Sequence, residues 1–267
     1  MNNRRVVIAS SRQDLTTLVA DKFIVRALET LRRQATFTVV LTGGSVGIET
    51  LADIASHPKA SEVNWSAVHF YWGDERFVPA AHADRNDFQA QEVFLEPLGI
   101  HDENIHRFPN SDGGDVESAA ENFEHELTAE GAWPVFDLAF VGMGPDGHVL
   151  SVFPGRDEAR ESAPGIRAVH DSPKPPPERL TMTLPLLNRA TRVWMVVAGA
   201  DKAAAMGLAL ADASVAEVPA SGVRGAHSTK IFIDNDLAVA LPAELLRTDQ
   251  FWTADDERAD YVPKALR

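Results

Sequence analysis

The chain has 267 residues, with 25 Lys and Arg against 39 Asp and Glu, a formal net charge of −14, and no cysteine. A chain this acidic lacks the basic surface that a nucleic-acid binder needs to displace counterions, and the missing cysteines exclude disulfide frameworks, thiolate zinc sites, iron–sulfur ligation and a Cys nucleophile. Apolar residues at 45% permit a large core, while the charge argues, taken alone, against an anionic substrate.

The first apolar run, Val6 to Ala9, is too short for the core of a signal peptide. No stretch approaches the roughly 18 apolar residues of a membrane span, and the C-terminal YVPKALR carries no lipidation signal. The expectation is a cytoplasmic protein. Segments 109–115 and 171–178 read as loops too short to link independent domains, so residues 1–267 are expected to form one domain, the latter segment being a Pro-rich surface loop.

In chain order, residues 14–33 place Leu15, Leu18, Val19, Val25, Leu28 and Leu31 at near-helical spacing, with Asp14 as the expected N-cap. The residues ahead of the first glycine motif read as this one helix. A strand follows at 37–41, a helix at about 46–55, a strand at 67–72 and a helix at about 86–95. A helix at about 115–129 precedes a strand at 136–141. Strands at 180–184 and 192–198 lead to a helix at about 201–212 and a strand at 231–233. Residues 248–267 read equally as a packed helix, a frayed end or an interface. Short apolar strands alternating with amphipathic helices predict an α/β fold, a Rossmann-like domain with a mainly parallel sheet flanked by helices.

In such sheets the ligand sits beyond the carboxyl ends of the strands, and four strand-end loops carry unusual residues. In TVVLTGGSVG (38–47), Gly43, Gly44 and Ser45 lead into a helix whose first-turn N–H groups suit a phosphate; a tight turn with Ser45 capping the helix is the equal alternative. In HFYWGDERFVP (69–79), Asp74, Glu75 and Arg76 leave a strand end, either as a solvated rim or with Arg76 forking onto phosphate oxygens. The stretch 136–155 contains Gly142-Met-Gly144-Pro-Asp-Gly147, a formal dinucleotide fingerprint that fails because Pro145 interrupts the helix it must open. What remains is a glycine-rich turn presenting Asp146 and His148, with the imidazole suited to take a proton near neutral pH. The other histidines form no H-E-x-x-H or H-x-H metal pattern. The fourth loop, in VWMVVAGADKAAAM (193–206), puts Lys202 in a helix's first turn, where the dipole disfavours a cation unless an anion is bound there. Lys202 and Arg76 would then bracket one phosphate.

Taken together, LTGGS (41–45), GDERFVP (73–79) with DRND (84–87), GMGPDGH…FPG (142–155), PPPERLTMTLPLLN (175–188), AGADKAAAM (198–206) and PASGVRG (219–225) resemble the 6-phosphogluconolactonase family over nearly the whole chain. The resemblance implies hydrolysis of 6-phospho-D-glucono-1,5-lactone to 6-phospho-D-gluconate, the second step of the oxidative pentose phosphate pathway. It implies no metal and no cofactor, a small-molecule sugar-phosphate partner, and a monomer or small homo-oligomer. His148 is then the general base, Asp146 its orienting neighbour, and backbone N–H groups of the glycine-rich turn the oxyanion donors. Gly43, Gly44, Ser45, Arg76 and Lys202 bind the phosphate, and Arg179 and Asn86 carry over as further substrate contacts. Val46-Gly47 and Leu150 depart from the family's usual residues, Leu150 being bulkier and expected to reshape a pocket wall. Two rivals remain. Glucosamine-6-phosphate deaminases share the glycine loop and the D-G-H turn, but carry a tyrosine and a glutamate where this chain has Arg76 and Phe153. A non-catalytic sugar-phosphate sensor would need a DNA-binding module, for which the leading helix leaves no room.

Overall fold

The computed structural model describes residues 4–246; the expectations for 248–267 lie outside them. Strand β1 (Arg4–Ala9) runs into helix α1 (Arg12–Leu31), followed by β2 (Phe37–Leu41) and α2 (Ser45–Ala55). Next come β3 (Val68–Trp72), the short β4 (Asp74–Arg76), α3 (Asn86–Ala90) and β5 (Ile105–His106). Then α4 (Val116–Leu127) leads to β6 (Leu138–Val141), β7 (Ile166–Val169), β8 (Arg179–Met182) and α5 (Leu184–Leu187). The described chain closes with β9 (Arg192–Val197), α6 (Ala203–Leu210), β10 (Ser228–Asp234) and α7 (Asn235–Ala238). None of these helices is long and apolar enough to cross a membrane.

Seven strands form a parallel sheet in the order β1-β10-β9-β6-β2-β3-β5. Its central strands, FTVVL, LAFV and RVWMVV, are buried at every position, as a sheet covered on both faces requires. That is why they read as apolar runs rather than alternating patterns. One aromatic seam ties the layers together: Phe23 of α1 packs on Phe37 and Phe140, and Trp194 meets both Phe140 and Phe232 edge-on. After β2 the chain first builds outward to β3 and β5, then returns to lay β6 on β2's other side. The switch point between β2 and β6 opens a crevice at their carboxyl ends.

Several boundaries differ from the sequence reading for identifiable reasons. The helix expected at 14–33 begins at Arg12, because Ser11 is the N-cap and its hydroxyl accepts from the Asp14 N–H at 3.1 Å. Asp14 instead sits in the first turn, where its carboxylate accepts from the Ser10 and Ser11 hydroxyls. The leading segment is not one helix: Arg4–Ala9 is an edge strand, whose apolar core of four residues carries no helical or alternating period. The helix expected at 86–95 is α-helical only to Ala90. It then widens so that the Glu96 N–H donates to the carbonyl of Gln91, five residues back. The strand expected to reach Leu184 stops at Met182, because the Thr183 hydroxyl caps α5 and Pro185 cannot donate to a ladder. A second sheet, absent from the sequence reading, pairs β4, β8 and β7 antiparallel. It is built from strands of three and four residues, too short to show a period, and it forms a wall of the crevice.

Candidate active site

The crevice is a cleft of about 320 Å³, floored by the ends of β2, β6 and β9 and walled by β4, β8 and the loop before β8. Its charged lining contains Arg76, Lys174, Arg179 and Lys202 against the single carboxylate of Asp74. The cleft is therefore locally cationic in a chain whose net charge is −14, so the argument from net charge against an anionic ligand fails at this site. Charges beyond about 8 Å are screened at physiological salt, and the cleft is governed by what lines it.

On the floor, Gly43, Gly44 and Ser45 occupy the turn from β2 into α2. Gly44 is the N-cap, so the alternative in which Ser45 caps the helix does not hold: no side chain caps α2, and Ser45 is its exposed first residue. The first-turn N–H groups of a helix have no intrahelical acceptors, and here they face the cleft with the positive dipole end. Asn86 lies behind this loop rather than in the open cleft. It is 1% exposed, its side-chain amide donates to the Asp74 carbonyl at 2.9 Å, and a Cβ on Gly43 would fall 1.8 Å from its Oδ1. Only a glycine at 43 lets the loop lie this close.

Glu75 holds the next loop. Its buried carboxylate accepts from the backbone N–H groups of Arg76, Asn86 and Asp87 at 2.7–2.9 Å, which caps α3. Desolvation, with the nearby Asp87 charge, pushes its carboxyl up to about 8. Arg76 is thereby fixed at the cleft edge; one Nη donates to the Asp84 carbonyl and its buried Nε has no partner. Lys202 also lines the cleft. The expected helix at 201–212 is shorter, Ala203–Leu210, and Lys202 is its N-cap after a 3₁₀ turn over Ala200–Lys202. Its ammonium donates to the Ala198 carbonyl at the end of β9 at 2.7 Å, which offsets the unfavourable dipole.

The turn after β6 carries the Asp146–His148 pair. Asp146 Oδ1 lies 2.5 Å from His148 Nδ1, and a carboxylate can only accept, so Nδ1 donates and Nε2 is left as the free base. Burial pulls the imidazole below its ordinary range; Asp146 acts in the opposite sense and Lys174 and Asp74 add smaller opposing effects. Asp146 is held below the usual carboxylate range: burial opposes this, and the hydrogen bond and charge of His148 outweigh it. Gly144 allows the imidazole to fold back over the turn, since a Cβ there would come within 2.2 Å of its ring. Phe153 packs against the same ring with centroids 4.7 Å apart. The turn's own N–H groups are partly committed: Gly144 N–H donates to the His148 carbonyl and Gly147 N–H to the Gly144 carbonyl, both at 3.0 Å. These two are not open oxyanion donors.

Arg179 does not project freely into the cleft. It is 4% exposed, and its guanidinium donates to the carbonyls of Lys174, Pro175 and Pro176 while lying over Phe153. Sequence reasoning passed over three liners. Asp74 accepts from the Ser151 hydroxyl at 2.7 Å, and Thr42 bridges toward Gly142 N–H at 3.4 Å. Lys174 places Nζ 3.5 Å from His148 Nδ1 and 3.8 Å from Asp146 Oδ1. The signal for Lys174 was a lone cation among prolines, in a loop stiff enough to hold it. Leu150 does form a wall, with φ 54° and its side chain against Gly73. Among the described residues no group of three or more His, Asp or Glu is arranged to hold a metal ion.

A family model described as glucosamine-6-phosphate isomerases/6-phosphogluconolactonase matches residues 10–232. The chain belongs to that family. Within this superfamily it is a 6-phosphogluconolactonase family member. It is 36% identical over 250 residues to the 6-phosphogluconolactonase of Streptomyces coelicolor, covering 90% of this chain and 96% of that one. It is 39% identical over 238 residues to the 6-phosphogluconolactonase of Mycobacterium tuberculosis, covering 86% and 96%. Its fold is similar to the crystal structure of 6-phosphogluconolactonase from Thermotoga maritima, with a TM-score of 0.76 at 27% identity, covering 87% of this chain and all of that one. The family-model match over residues 10–232 includes every residue that lines the cleft and the Asp146–His148 turn.

Proposed function

We propose that the protein hydrolyses 6-phospho-D-glucono-1,5-lactone to 6-phospho-D-gluconate. The observation that carries this reading is the Asp146–His148 pair, 2.5 Å apart, at a cleft that Arg76, Lys202 and the α2 N-terminus also line. A phosphate held by those two cations and the Gly43–Ser45 turn places the lactone ring toward His148. Nε2 takes a proton from a water that attacks C1, and the same proton then goes to the ring oxygen as the C1–O bond breaks. General-base action of this kind is worth about 10²–10⁴-fold. The remote phosphate contacts supply positioning.

Phe153 favours this over the deaminase reading. It fills the space beside the imidazole with an apolar ring, so no carboxylate reaches His148 from that side to assist the opening of an amino sugar. The test is a coupled assay in which glucose-6-phosphate dehydrogenase generates the lactone in situ. Formation of 6-phosphogluconate should exceed the spontaneous rate in proportion to added protein. A rate no faster than spontaneous hydrolysis, or ammonia release from glucosamine 6-phosphate, overturns the reading.

A further inference from the structure

We propose that Lys174 is the cation that receives the substrate's C1 carbonyl oxygen as it becomes an oxyanion and then a product carboxylate. The inference rests on the lactonase reading and deepens it. If Nε2 of His148 activates the attacking water, C1 lies within one water of the imidazole, and the oxygen that gains charge needs a donor close by. The obvious backbone donors are partly spent, since Gly144 and Gly147 N–H close the turn on itself. Among the other cations lining the cleft, Arg179 is bound to three carbonyls, and Arg76 and Lys202 to one each. Lys174 stands beside His148 and is loosely held: Nζ lies 3.5 Å from Nδ1 and 3.8 Å from Asp146 Oδ1, and its side chain is 42% exposed.

The loop that carries it is built to keep it there. Arg179 grips the carbonyls of residues 174–176 from below, Lys174 N–H donates to the Ser172 hydroxyl, and Ser172 N–H donates to the Pro177 carbonyl. Four prolines, Pro173 and Pro175 to Pro177, remove further freedom. A long flexible side chain on a fixed base can shift from the His148–Asp146 edge to a neighbouring oxygen without the backbone moving. Arg179 thus acts through Lys174, as a positioning residue. In the step itself, water adds to C1, its proton passes to Nε2, and the carbonyl π pair moves onto the oxygen facing Lys174. Collapse re-forms the C=O bond, expels the ring oxygen with the proton from Nε2, and the carboxylic acid releases its proton to solvent, leaving a carboxylate beside the ammonium.

The experiment compares wild type with Lys174→Met in three measurements: kcat on the lactone, the affinity for 6-phosphogluconate, and the affinity for 1,5-anhydroglucitol 6-phosphate, which keeps ring and phosphate but has no oxygen at C1. Removing one oxyanion donor should lower kcat by about 10²-fold. A lost charged contact should weaken 6-phosphogluconate about tenfold or more, with the anhydro sugar bound within twofold of wild type. Lys174→Arg should recover part of both losses. An equal weakening of both ligands overturns the assignment, because Lys174 would then serve the phosphate or the loop. Unchanged affinity for 6-phosphogluconate also overturns it, even with a lower kcat. Should Lys174→Met lower the melting temperature, Lys174→Gln and Lys174→Arg carry the same comparison. Wild-type protein that leaves lactone hydrolysis at the spontaneous rate overturns the lactonase reading, and this inference with it.

Discussion

Strands β2 and β6 of the large sheet and β4 of the small one are all largely buried, but with opposite kinds of side chain. In the seven-stranded sheet β2 and β6 are apolar or nearly so, and their stability comes from non-directional burial that tolerates exchange of one aliphatic group for another. In the three-stranded sheet β4 is Asp74-Glu75-Arg76, two of them buried, paired against Arg179 and Thr181 of β8. There each polar group depends on a named partner, and an unmet one is costly because the surroundings respond weakly to charge. The large sheet sets where the cleft is, and the small one sets what it can bind.

That contrast can be broken at points of decreasing leverage. His148→Ala should cut kcat by about 10²–10⁴-fold with an unchanged melting temperature; activity within a few-fold of wild type removes the imidazole from the chemistry. Trp194→Ala, deep in the aromatic seam, should cost about 3–5 kcal/mol in denaturant unfolding, with the Michaelis constant of the surviving folded fraction unaltered. Lys202→Ala should raise KM about tenfold with little change in kcat, since it binds a part of the substrate that does not react; an unaltered KM takes it out of the phosphate site.

Two smaller effects follow from protonation. The His148 imidazole must be neutral to act, and burial holds it below its ordinary range. The acid limb of kcat/KM should therefore lie below pH 6.5, and Asp146→Asn should move it lower still while reducing kcat, because Asp146 favours the protonated ring. A limb displaced upward in Asp146→Asn contradicts the pairing. Glu75, raised from 4.5 to about 8, binds its proton more tightly folded than unfolded. Unfolding free energy should accordingly decline as pH rises from about 4.5 to about 8, and Glu75→Gln should flatten that slope. Chemical denaturation at a series of pH values decides it.

Strands β2, β6 and β9 of the large sheet and β8 of the small one are legible in the sequence, whereas β4 is not, for the same reason that their side chains differ. Phe37–Leu41 and Arg192–Val197 announce themselves as apolar runs, whereas Asp74–Arg76 is three charges that read equally as a solvated rim. The glycine and D-G-H turns are legible because each is a short contiguous run directly after an apolar strand, so its residues are neighbours in sequence as well as in the fold. Asn86 and Arg179 border the cleft, and their partners are carbonyls brought in by the fold, which no local pattern encodes. Lys174 lies in a segment whose composition reads as a surface loop, and the Arg179 contacts that help hold it at the cleft are tertiary.

The position of β1 bears on how the chain is made. The first strand finds its ladder only on β10, the last one described, and Arg4 reaches the carbonyl of Ala209, 205 positions away. During synthesis β1 therefore waits without this neighbour until residues 228–234 have emerged, and contacts of such long separation are slow to form. The vulnerable interval is the one before β10 emerges, when the edge of β1 is unpaired and, among the described strands, β10 is the one that covers it.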